Sequence, residues 1–241
     1  MILTFTYDEI YYSGDWHGKW QQVVKKIKML DLKDCLIVQV GDFGAGFQSE
    51  KKFAGSMSMF NQTLVPRNIS VVVIRGNHDD PAYFDGRSYG MVHLLRDYTV
   101  FDSSGTRVLC VGGAVSTDRM PNPDVRDYRG VRYKGRKSGV NYWEDEKFVL
   151  SPEKVTEPVD VVVTHSAPDF CWPLSKSGIE SWYVHDPNLE SDVREEREGL
   201  AELAKIATGY SRWYYGHYHK SNTEIIDGVR YRCLNELEIS N

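Results

Sequence analysis

Four short runs of aliphatic and β-branched residues constrain the fold of this 241-residue chain more than any other feature. The runs are LIVQV at 36–40, ISVVVI at 69–74, RVLCVGG at 107–113 and VDVVVTH at 159–165. Their apolar residues are nearly continuous and hardly alternate with polar ones, which is typical of strands that are buried on both faces. We therefore expect a sheet that other layers cover on both sides.

Amphipathic helical patterns alternate with these runs. Three sets of apolar residues recur at helical spacing: Trp20, Val23, Val24, Ile27 and Leu30; Phe53, Met57, Phe60 and Leu64; and Val193, Leu200, Leu203, Ala204 and Ala207. Strands that alternate with helices predict a layered α/β architecture with helices packed on the sheet faces. We expect a single domain over residues 1–241, with loop insertions at about 118–148 and 169–192.

Composition narrows the class of protein. Four cysteines, at positions 35, 110, 171 and 233, form no C-x-x-C pair and lie mostly in apolar runs, which indicates reduced core thiols. The chain has no apolar window of membrane-spanning length and no signal-peptide pattern at its N-terminus, so we expect a cytoplasmic protein that is not bound to a membrane. The net charge of −5 provides no general attraction to nucleic acid.

Polar clusters follow the apolar runs. They are YYSGDWHG with Asp15 and His17, VQVGDFG with Asp42, VIRGNHDD with Asn77, His78 and Asp79, VVVTHSAP with His165, and WYYGHYH with His217 and His219. Ligands of open α/β sheets gather beyond the carboxyl ends of the strands. We therefore expect these five clusters to meet in one pocket.

Each cluster taken alone also has an ordinary structural explanation. Asp-x-His and Gly-Asp sequences are common in turns, because glycine adopts positive φ and aspartate caps the following backbone. A single histidine such as His165 is more often a hydrogen-bonded residue at a strand end than a ligand. The structural explanation would have to hold for all five clusters independently, so we favour a shared functional site.

The ordered set D-x-H, G-D, G-N-H-D, H and G-H-x-H resembles the calcineurin-like metallophosphoesterase family, and it extends from residue 15 to residue 219. The resemblance implies a four-layer α/β/β/α sandwich with mixed sheets. It also implies a hydrolase that cleaves phosphate mono- or diesters by direct attack of hydroxide. GGAVSTDR at 112–119 and YWEDE at 142–146 look like the small bacterial and phage members, whose substrates the resemblance does not fix.

By the same resemblance, seven residues would hold two divalent metal ions. One ion takes Asp15, His17, Asp42 and His219, and the other takes Asp42, Asn77, His165 and His217, so that Asp42 bridges them. Imidazole, carboxylate and amide ligands suit Mn²⁺, Fe, Zn²⁺ or Ni²⁺, and we take Mn²⁺ as the working hypothesis. The two ions would supply a bridging hydroxide at neutral pH.

His78 follows the expected ligand Asn77 and is not a ligand in the family pattern. We therefore expect His78 to protonate the leaving oxygen and Asp79 to orient its ring. An alternative of equal weight is that Asp79 and Asp80 cap a helix that begins at Pro81.

The chain departs from the Ser/Thr protein phosphatase branch of the family. That branch carries G-D-x-x-D-R-G and a glutamate after G-N-H, whereas this chain has GDFGAG and GNHD. The difference argues against a dedicated phosphoprotein phosphatase. The segment MILTFTY precedes the first motif and predicts an extra edge strand or hairpin.

The segment 119–137 is strongly basic. It contains seven basic residues, Arg119, Arg126, Arg129, Arg132, Lys134, Arg136 and Lys137, against Asp124 and Asp127. Such a loop can bind and attract phosphate, and we select Arg119 and Arg132 as substrate contacts. A solvated flexible loop explains the charge equally well.

The expected partner is a phosphorylated small molecule, a nucleotide or a short oligonucleotide. A nuclease or cyclic-nucleotide phosphodiesterase of the same superfamily is the alternative enzyme. A non-catalytic binding module on the same scaffold is the alternative from another class of protein, and the complete set of ligands argues against it.

Overall fold

The computed structural model describes residues 3–126, 130–172 and 179–241. The strands are β1 Leu3–Phe5, β2 Glu9–Ser13, β3 Cys35–Gln39, β4 Ile69–Val73, β5 Ser88–Tyr89, β6 Val92–Leu94, β7 Thr99–Ser103, β8 Thr106–Val111, β9 Asn122–Arg126, β10 Arg132–Tyr133, β11 Val161–Thr164, β12 Arg212–Tyr215, β13 Asn222–Ile226, β14 Val229–Cys233 and β15 Ile239–Ser240. The helices are α1 Trp20–Met29, α2 Glu50–Leu64, α3 Glu180–Tyr183 and α4 Leu189–Ile206.

Two mixed sheets contain most of the strands. The six-stranded sheet has the order β15-β2-β3-β4-β6-β5, and its four central strands are parallel. The seven-stranded sheet has the order β1-β7-β8-β11-β12-β14-β13, and β8, β11, β12 and β14 are parallel. In each sheet, the loops that follow the parallel strands therefore lie along one edge.

The continuous apolar runs arise because both faces of each central strand are covered. In β3, Ile37 packs into the cluster formed with α1 and α2, whereas Leu36 and Val38 pack against the other sheet. In β11, Val163 lies in the core between the sheets and Val162 faces α4. Successive side chains of a strand point to opposite faces, so a strand that is buried on both sides is apolar throughout.

The helices form the two outer layers. Ile27 of α1 and Met57 of α2 pack on the six-stranded sheet, and Leu200 and Leu203 of α4 pack near Trp213 on the seven-stranded sheet. The order of layers is therefore helix, sheet, sheet, helix, which confirms the four-layer α/β/β/α sandwich. The three predicted amphipathic stripes correspond to α1, α2 and α4.

The chain changes sheets near both ends. β1 pairs in parallel with β7 at the edge of the seven-stranded sheet, which confirms the extra edge strand, and the following strand β2 lies in the six-stranded sheet. After β14 in the seven-stranded sheet, β15 returns to the six-stranded sheet and pairs with β2. This last crossing brings residues 235–240 next to the loop after β2.

The predicted loop insertions contain secondary structure. β9 and β10 pair with each other within residues 118–148, and α3 and the start of α4 lie within 169–192. All four cysteines are buried free thiols, as predicted. Among the described residues, no helix combines the length and the apolar character needed to cross a membrane.

Candidate metal centre

Seven residues that the sequence selected as metal ligands come from the loops after five parallel strands. Asp15 and His17 follow β2, Asp42 follows β3, Asn77 follows β4, His165 follows β11, and His217 and His219 follow β12. The first three strands belong to one sheet and the last two to the other, so the site lies where the ends of both sheets meet. Two of the contacts described below join residues that are 202 positions apart.

One donor group consists of Asp15, His17, Asp42 and His219, whose donor atoms all lie within 4.8 Å of one another. His219 Nε2 is 3.0 Å from Asp15 Oδ2 and 3.0 Å from His17 Nε2. Two ligands at right angles on one ion, each about 2.1 Å from it, are about 3 Å apart. Both carboxylates are buried. The group therefore has the spacing and the chemistry to hold a divalent cation.

A second donor group lies on the other side of Asp42. Asn77 Oδ1 is 3.0 Å from His217 Nδ1 and 3.1 Å from His165 Nε2, and the latter nitrogen is 3.3 Å from Asp42 Oδ1. His165 Nδ1 is 2.7 Å from the Val40 carbonyl and donates its proton there, which leaves the lone pair of Nε2 facing two oxygen atoms. A positive charge must lie among these acceptors, and either a proton or a metal ion can supply it.

The electrostatics of the site favour bound cations. Burial alone would lower the pKa of His165, but the Asp42 carboxylate beside it raises that pKa to about 10. Burial alone would raise the pKa of Asp42, but His165, His78 and His17 hold it well below its usual value. Without a metal ion, the proton on His165 thus compensates the buried Asp42 carboxylate. A metal ion would replace that proton.

Asp42 presents one oxygen to each donor group. Its Oδ1 lies near His165 and accepts a hydrogen bond of 2.8 Å from the His78 backbone N–H, whereas its Oδ2 is 3.8 Å from His17 Nδ1. A carboxylate in this position can contact two cations at once.

Several of these side chains depend on unusual backbone conformations. His17, Asp42, His217 and His219 all have positive φ, at 45°, 58°, 67° and 50°. Non-glycine residues adopt this region rarely and at a cost of about 1–3 kcal/mol, and they are concentrated at functional sites. The sharp turns explain how ligands two positions apart can point toward the same place.

Two glycines of the motifs are required by close packing. A Cβ on Gly76 would lie 2.1 Å from Asp42 Oδ1, and a Cβ on Gly216 would lie 2.2 Å from Asp15 Oδ1. Both distances are far below van der Waals contact. The glycines of G-N-H-D and G-H-x-H therefore allow the ligand loops to pack directly against the two buried carboxylates.

Asp79 does not take the position that the sequence suggested. Its carboxylate accepts hydrogen bonds of 2.7–3.0 Å from four backbone N–H groups, those of residues 43, 44, 45 and 76, and none of these bonds involves the His78 ring. Burial raises the pKa of Asp79 to about 6, while these hydrogen bonds oppose the rise. Asp79 therefore joins two ligand loops. The cap of the short helical turn at Pro81 is Asp80, which accepts from the Ala82 N–H.

The ring of His78 faces Arg136 instead. Arg136 NH1 is 2.9 Å from His78 Nδ1, and NH2 is 2.7 Å from His78 Nε2. Asp118 binds Arg136 Nε and also accepts from the Tyr133 hydroxyl at 2.8 Å. Burial, together with the positive charges of Arg136 and His17, lowers the pKa of His78 to about 4. In the sequence, Arg136 is only one of seven basic residues in the segment 119–137, and nothing there indicates its contact with His78.

A buried chain of hydrogen bonds fixes the amide of Asn77. Asn77 Nδ2 donates to Ser116 Oγ at 3.0 Å, and Ser116 contacts Glu146 through its backbone N–H at 2.6 Å and its hydroxyl at 2.8 Å. With its nitrogen held in this way, the amide presents its oxygen to His165 and His217. Nothing in the sequence pattern marked Ser116 or Glu146 for this task.

A buried arginine of α4 connects the loops after β11 and β12. Arg197 donates to the carbonyls of Pro168 and Cys171, each at 2.9 Å, and it binds the Tyr218 hydroxyl. That hydroxyl is 3.0 Å from Ser166 Oγ. Ser166 follows His165 directly, and Tyr218 lies between His217 and His219, so Arg197 holds three expected ligands in place through their neighbours.

The segment after β14 supports the first donor group. Glu236 Oε1 is 3.6 Å from both His219 Nδ1 and His17 Nε2, and Glu236 Oε2 is 2.6 Å from Lys19 Nζ. The Leu237 N–H donates to the Asp15 carbonyl at 3.0 Å. In His219, Nε2 faces the donor group and Nδ1 is the free nitrogen, and a carboxylate near the free nitrogen of a metal-binding histidine commonly orients the ring and raises its basicity.

The contacts of Arg119 and the exposure of Arg132 bear on their selection as substrate contacts. Arg119 forms ion pairs of 2.6 Å with both Asp186 and Asp192, so its charge is already neutralised. Arg132 is exposed on β10, and its role remains a prediction. Asp127 and Arg129 of the basic segment lie outside the described residues.

One comparison with known protein families covers this site. The family model for calcineurin-like phosphoesterases matches residues 9–221, a span that includes all seven expected ligands. No curated protein matches the chain. Among solved structures, TT1561 of Thermus thermophilus is similar with a TM-score of 0.52 and 11% identity, covering 95% of this chain and 89% of that one.

A phosphopantetheinyl hydrolase from Mycobacterium tuberculosis is also similar, with a TM-score of 0.47 and 15% identity over 95% of this chain and 89% of that one. At 11% identity, the similarity to TT1561 bears only on the fold, whereas the family model covers most of the chain. The chain therefore belongs to the calcineurin-like phosphoesterase family.

Proposed function

We propose that this protein hydrolyses phosphate mono- or diesters with two divalent metal ions, with Mn²⁺ as the first candidate. The observation that carries the proposal is the position of Asp42 between two donor groups, with one carboxylate oxygen toward each. Two ions separated by about 3.5–4 Å need such an anionic bridge, because they repel each other. The residues around Asp42 fit one ion on each side.

The first ion would be held by Asp15, His17, Asp42 and His219. The second would be held by Asp42, Asn77, His165 and His217. When bound, a pair of divalent ions lowers the pKa of a water molecule to near neutrality and offsets the charge of the phosphoryl group. The side chains then have little covalent chemistry to perform.

His78 is our candidate for the proton donor to the leaving oxygen. Its ring is half-buried beside the first donor group, with Nε2 4.0 Å from Asp42 Oδ2. Burial lowers the pKa of His78 to about 4, so the ring is neutral at pH 7, and in that form its single N–H only donates a hydrogen bond to the leaving oxygen. To protonate that oxygen, the ring must first take up a proton, which the negative charge of a bound phosphoryl group favours. Because Asp79 is held by backbone N–H groups, the ring is positioned by Arg136 rather than by that carboxylate.

The test is Asp42→Asn in an assay of aryl phosphate hydrolysis with added Mn²⁺. We expect a loss of at least about a thousandfold in kcat/KM, because the bridging charge contributes several kcal/mol to the transition state. Metal analysis should show fewer bound ions per chain. Asp227→Asn is the matched control, because Asp227 is also at positive φ and lies in the exposed β13–β14 turn. Turnover by Asp42→Asn at the rate of the control would rule out the two-ion mechanism.

A panel of substrates separates the remaining possibilities. Phosphorylated metabolites, nucleotides, cyclic nucleotides and short oligonucleotides, each tested with Mn²⁺, distinguish a phosphatase from a nuclease or a cyclic-nucleotide phosphodiesterase. A protein that binds metal and hydrolyses none of them would favour the binding-module alternative. We further propose a cytoplasmic location, with which the four free thiols agree.

A further inference from the structure

Arg136 connects the candidate metal centre to a separate cavity. Its side chain is only 8% exposed. On one side its NH1 and NH2 groups contact the His78 ring, and on the other side it lines a cavity of about 520 Å³. His78 in turn approaches Asp42, so a single histidine separates the guanidinium from the donor groups.

The contact between Arg136 and His78 cannot satisfy both residues. All five N–H groups of arginine are donors, and an imidazole ring offers at most one acceptor nitrogen in any protonation state. Both NH1 and NH2 lie within 2.9 Å of a ring nitrogen, so at least one of these contacts places two donors face to face. Asp118 already occupies Nε. NH1 also donates to the Asn141 carbonyl at 3.3 Å. Even so, at least one of the two guanidinium N–H groups that face His78 has no acceptor there, and an oxyanion beside His78 would provide one.

The cavity beyond Arg136 is formed by both sequence insertions. Ser138 and Tyr142 line it from the segment 118–148, and Asn188 and Ser191 line it from the segment around the start of α4. Its volume is within the range of small-molecule sites in proteins. Arg136 thus belongs both to the wall of this cavity and to the surroundings of the metal centre, so a leaving group in the cavity would lie beside a phosphoryl group bound to Arg136.

The charges that line the cavity are balanced. The positive residues are Arg119, Arg136 and Lys147, and the negative residues are Glu144, Asp186 and Asp192. Arg119 is paired with both aspartates, and Lys147 Nζ is 2.6 Å from Asp192. Once Arg136 binds an anion, the rest of the lining has a net charge of −1. A second phosphate would be repelled there, whereas hydroxyl groups would find donors and acceptors.

We infer that Arg136 binds a phosphoryl oxygen of the substrate and that the adjoining cavity binds an uncharged, hydroxyl-rich leaving group such as a sugar or a nucleoside. This inference rests on the proposed function, since it names the substrate class of the same site. Arg136, and not Arg119, is then the arginine that contacts the phosphoryl group of the substrate. A charge-assisted bidentate contact of this kind is worth about tenfold to a hundredfold in affinity.

The first experiment measures binding of inorganic phosphate to the metal-loaded protein by calorimetry. Arg136→Ala should raise the Kd for phosphate about tenfold to a hundredfold with unchanged metal content, and Arg136→Lys should recover part of the loss. Arg194→Ala, an exposed arginine on α4, is the control. A phosphate Kd for Arg136→Ala within twofold of the control would overturn the assignment. If Arg136→Ala does not fold, Arg136→Gln, which also removes the charge, decides on the same criterion.

The second experiment tests the cavity with Ser138→Trp, which places a large side chain at its wall. The variant should bind inorganic phosphate with the wild-type Kd and should lose at least about tenfold in kcat/KM on a sugar monophosphate or a nucleoside monophosphate. The substrate on which kcat/KM falls shows whether the cavity binds a sugar or a nucleoside. The wild type should prefer both over a sugar bisphosphate. Preference for the bisphosphate would refute the charge argument. Phosphate binding that depends on Arg136, without hydrolysis of any ester, would refute the proposed function and leave this subsite standing.

Discussion

Replacing Glu146 with glutamine should change how the stability of the protein depends on pH. The Glu146 side chain is almost fully buried, and its contacts are with Ser116. Burial raises the pKa of Glu146 from 4.5 to about 8. The folded protein therefore keeps a proton on this residue between pH 4.5 and pH 8, whereas the unfolded chain releases it. Glutamine has a similar shape, still accepts from the Ser116 N–H and cannot ionise.

The size of the effect follows from proton linkage. Where the folded state binds one proton more than the unfolded state, stability falls by about 1.4 kcal/mol per pH unit. Because the folded pKa is raised, the contribution of Glu146 is fully present below pH 4.5 and is lost as pH rises toward 8. From pH 5 to pH 8, the wild type should lose about 3.5 kcal/mol that Glu146→Gln retains, because the slope falls to half as pH reaches the folded pKa of about 8.

The assay is urea unfolding followed by tryptophan fluorescence at pH 5, 6, 7 and 8, with chelator present so that metal binding does not contribute. Other shifted groups, such as Asp79, affect both proteins alike and cancel in the difference between them. Glu144→Gln, at an exposed neighbouring position, is the control and should parallel the wild type. A stability difference between Glu146→Gln and the wild type that stays constant from pH 5 to pH 8 would show that Glu146 is ionised in the folded protein.

Two further predictions concern residues that support the donor groups. Glu236→Gln should weaken Mn²⁺ binding by at least about tenfold, because it removes the carboxylate near His219. Titration with Mn²⁺ measures the affinity, and Glu202→Gln, whose side chain is exposed on α4, is the control. Equal affinities of the two variants for Mn²⁺ would exclude a role for Glu236. Arg197→Met should lower the free energy of unfolding by about 3 kcal/mol, since buried carbonyls lose their donor. A loss below about 1 kcal/mol in urea unfolding would contradict that reasoning.

The layers and the ligands could be read from the sequence because both depend on local patterns. Buried parallel strands are apolar throughout, and helices such as α2 repeat their apolar residues at 3.6-residue spacing. Each expected ligand lies in the loop that follows a strand, so the topology of the sheets brings the ligands together. The resemblance to a known family then supplied the pairing of ligands with ions, which no local pattern contains.

The supporting residues could not be predicted, because their contacts join distant parts of the chain. Arg136 meets His78 across 58 positions, and Glu236 meets His17 across more than 200. The prediction that Asp79 orients the His78 ring depended only on the two residues being neighbours in sequence. In the structure, four backbone N–H groups of two loops converge on its carboxylate, an arrangement that exists only once those loops have folded against each other.

The return of residues 235–240 to β2 affects the order in which the protein can mature. The Leu237 N–H donates to the Asp15 carbonyl, and Glu236 lies beside His17 and His219. Asp15 and His17 are synthesised more than 200 residues before Glu236 and Leu237. During synthesis on the ribosome, the early carboxylates and imidazoles remain unassembled until this late segment has emerged. We therefore expect metal ions to bind only after the chain is complete. A protein truncated before residue 235 should lack a stable metal centre.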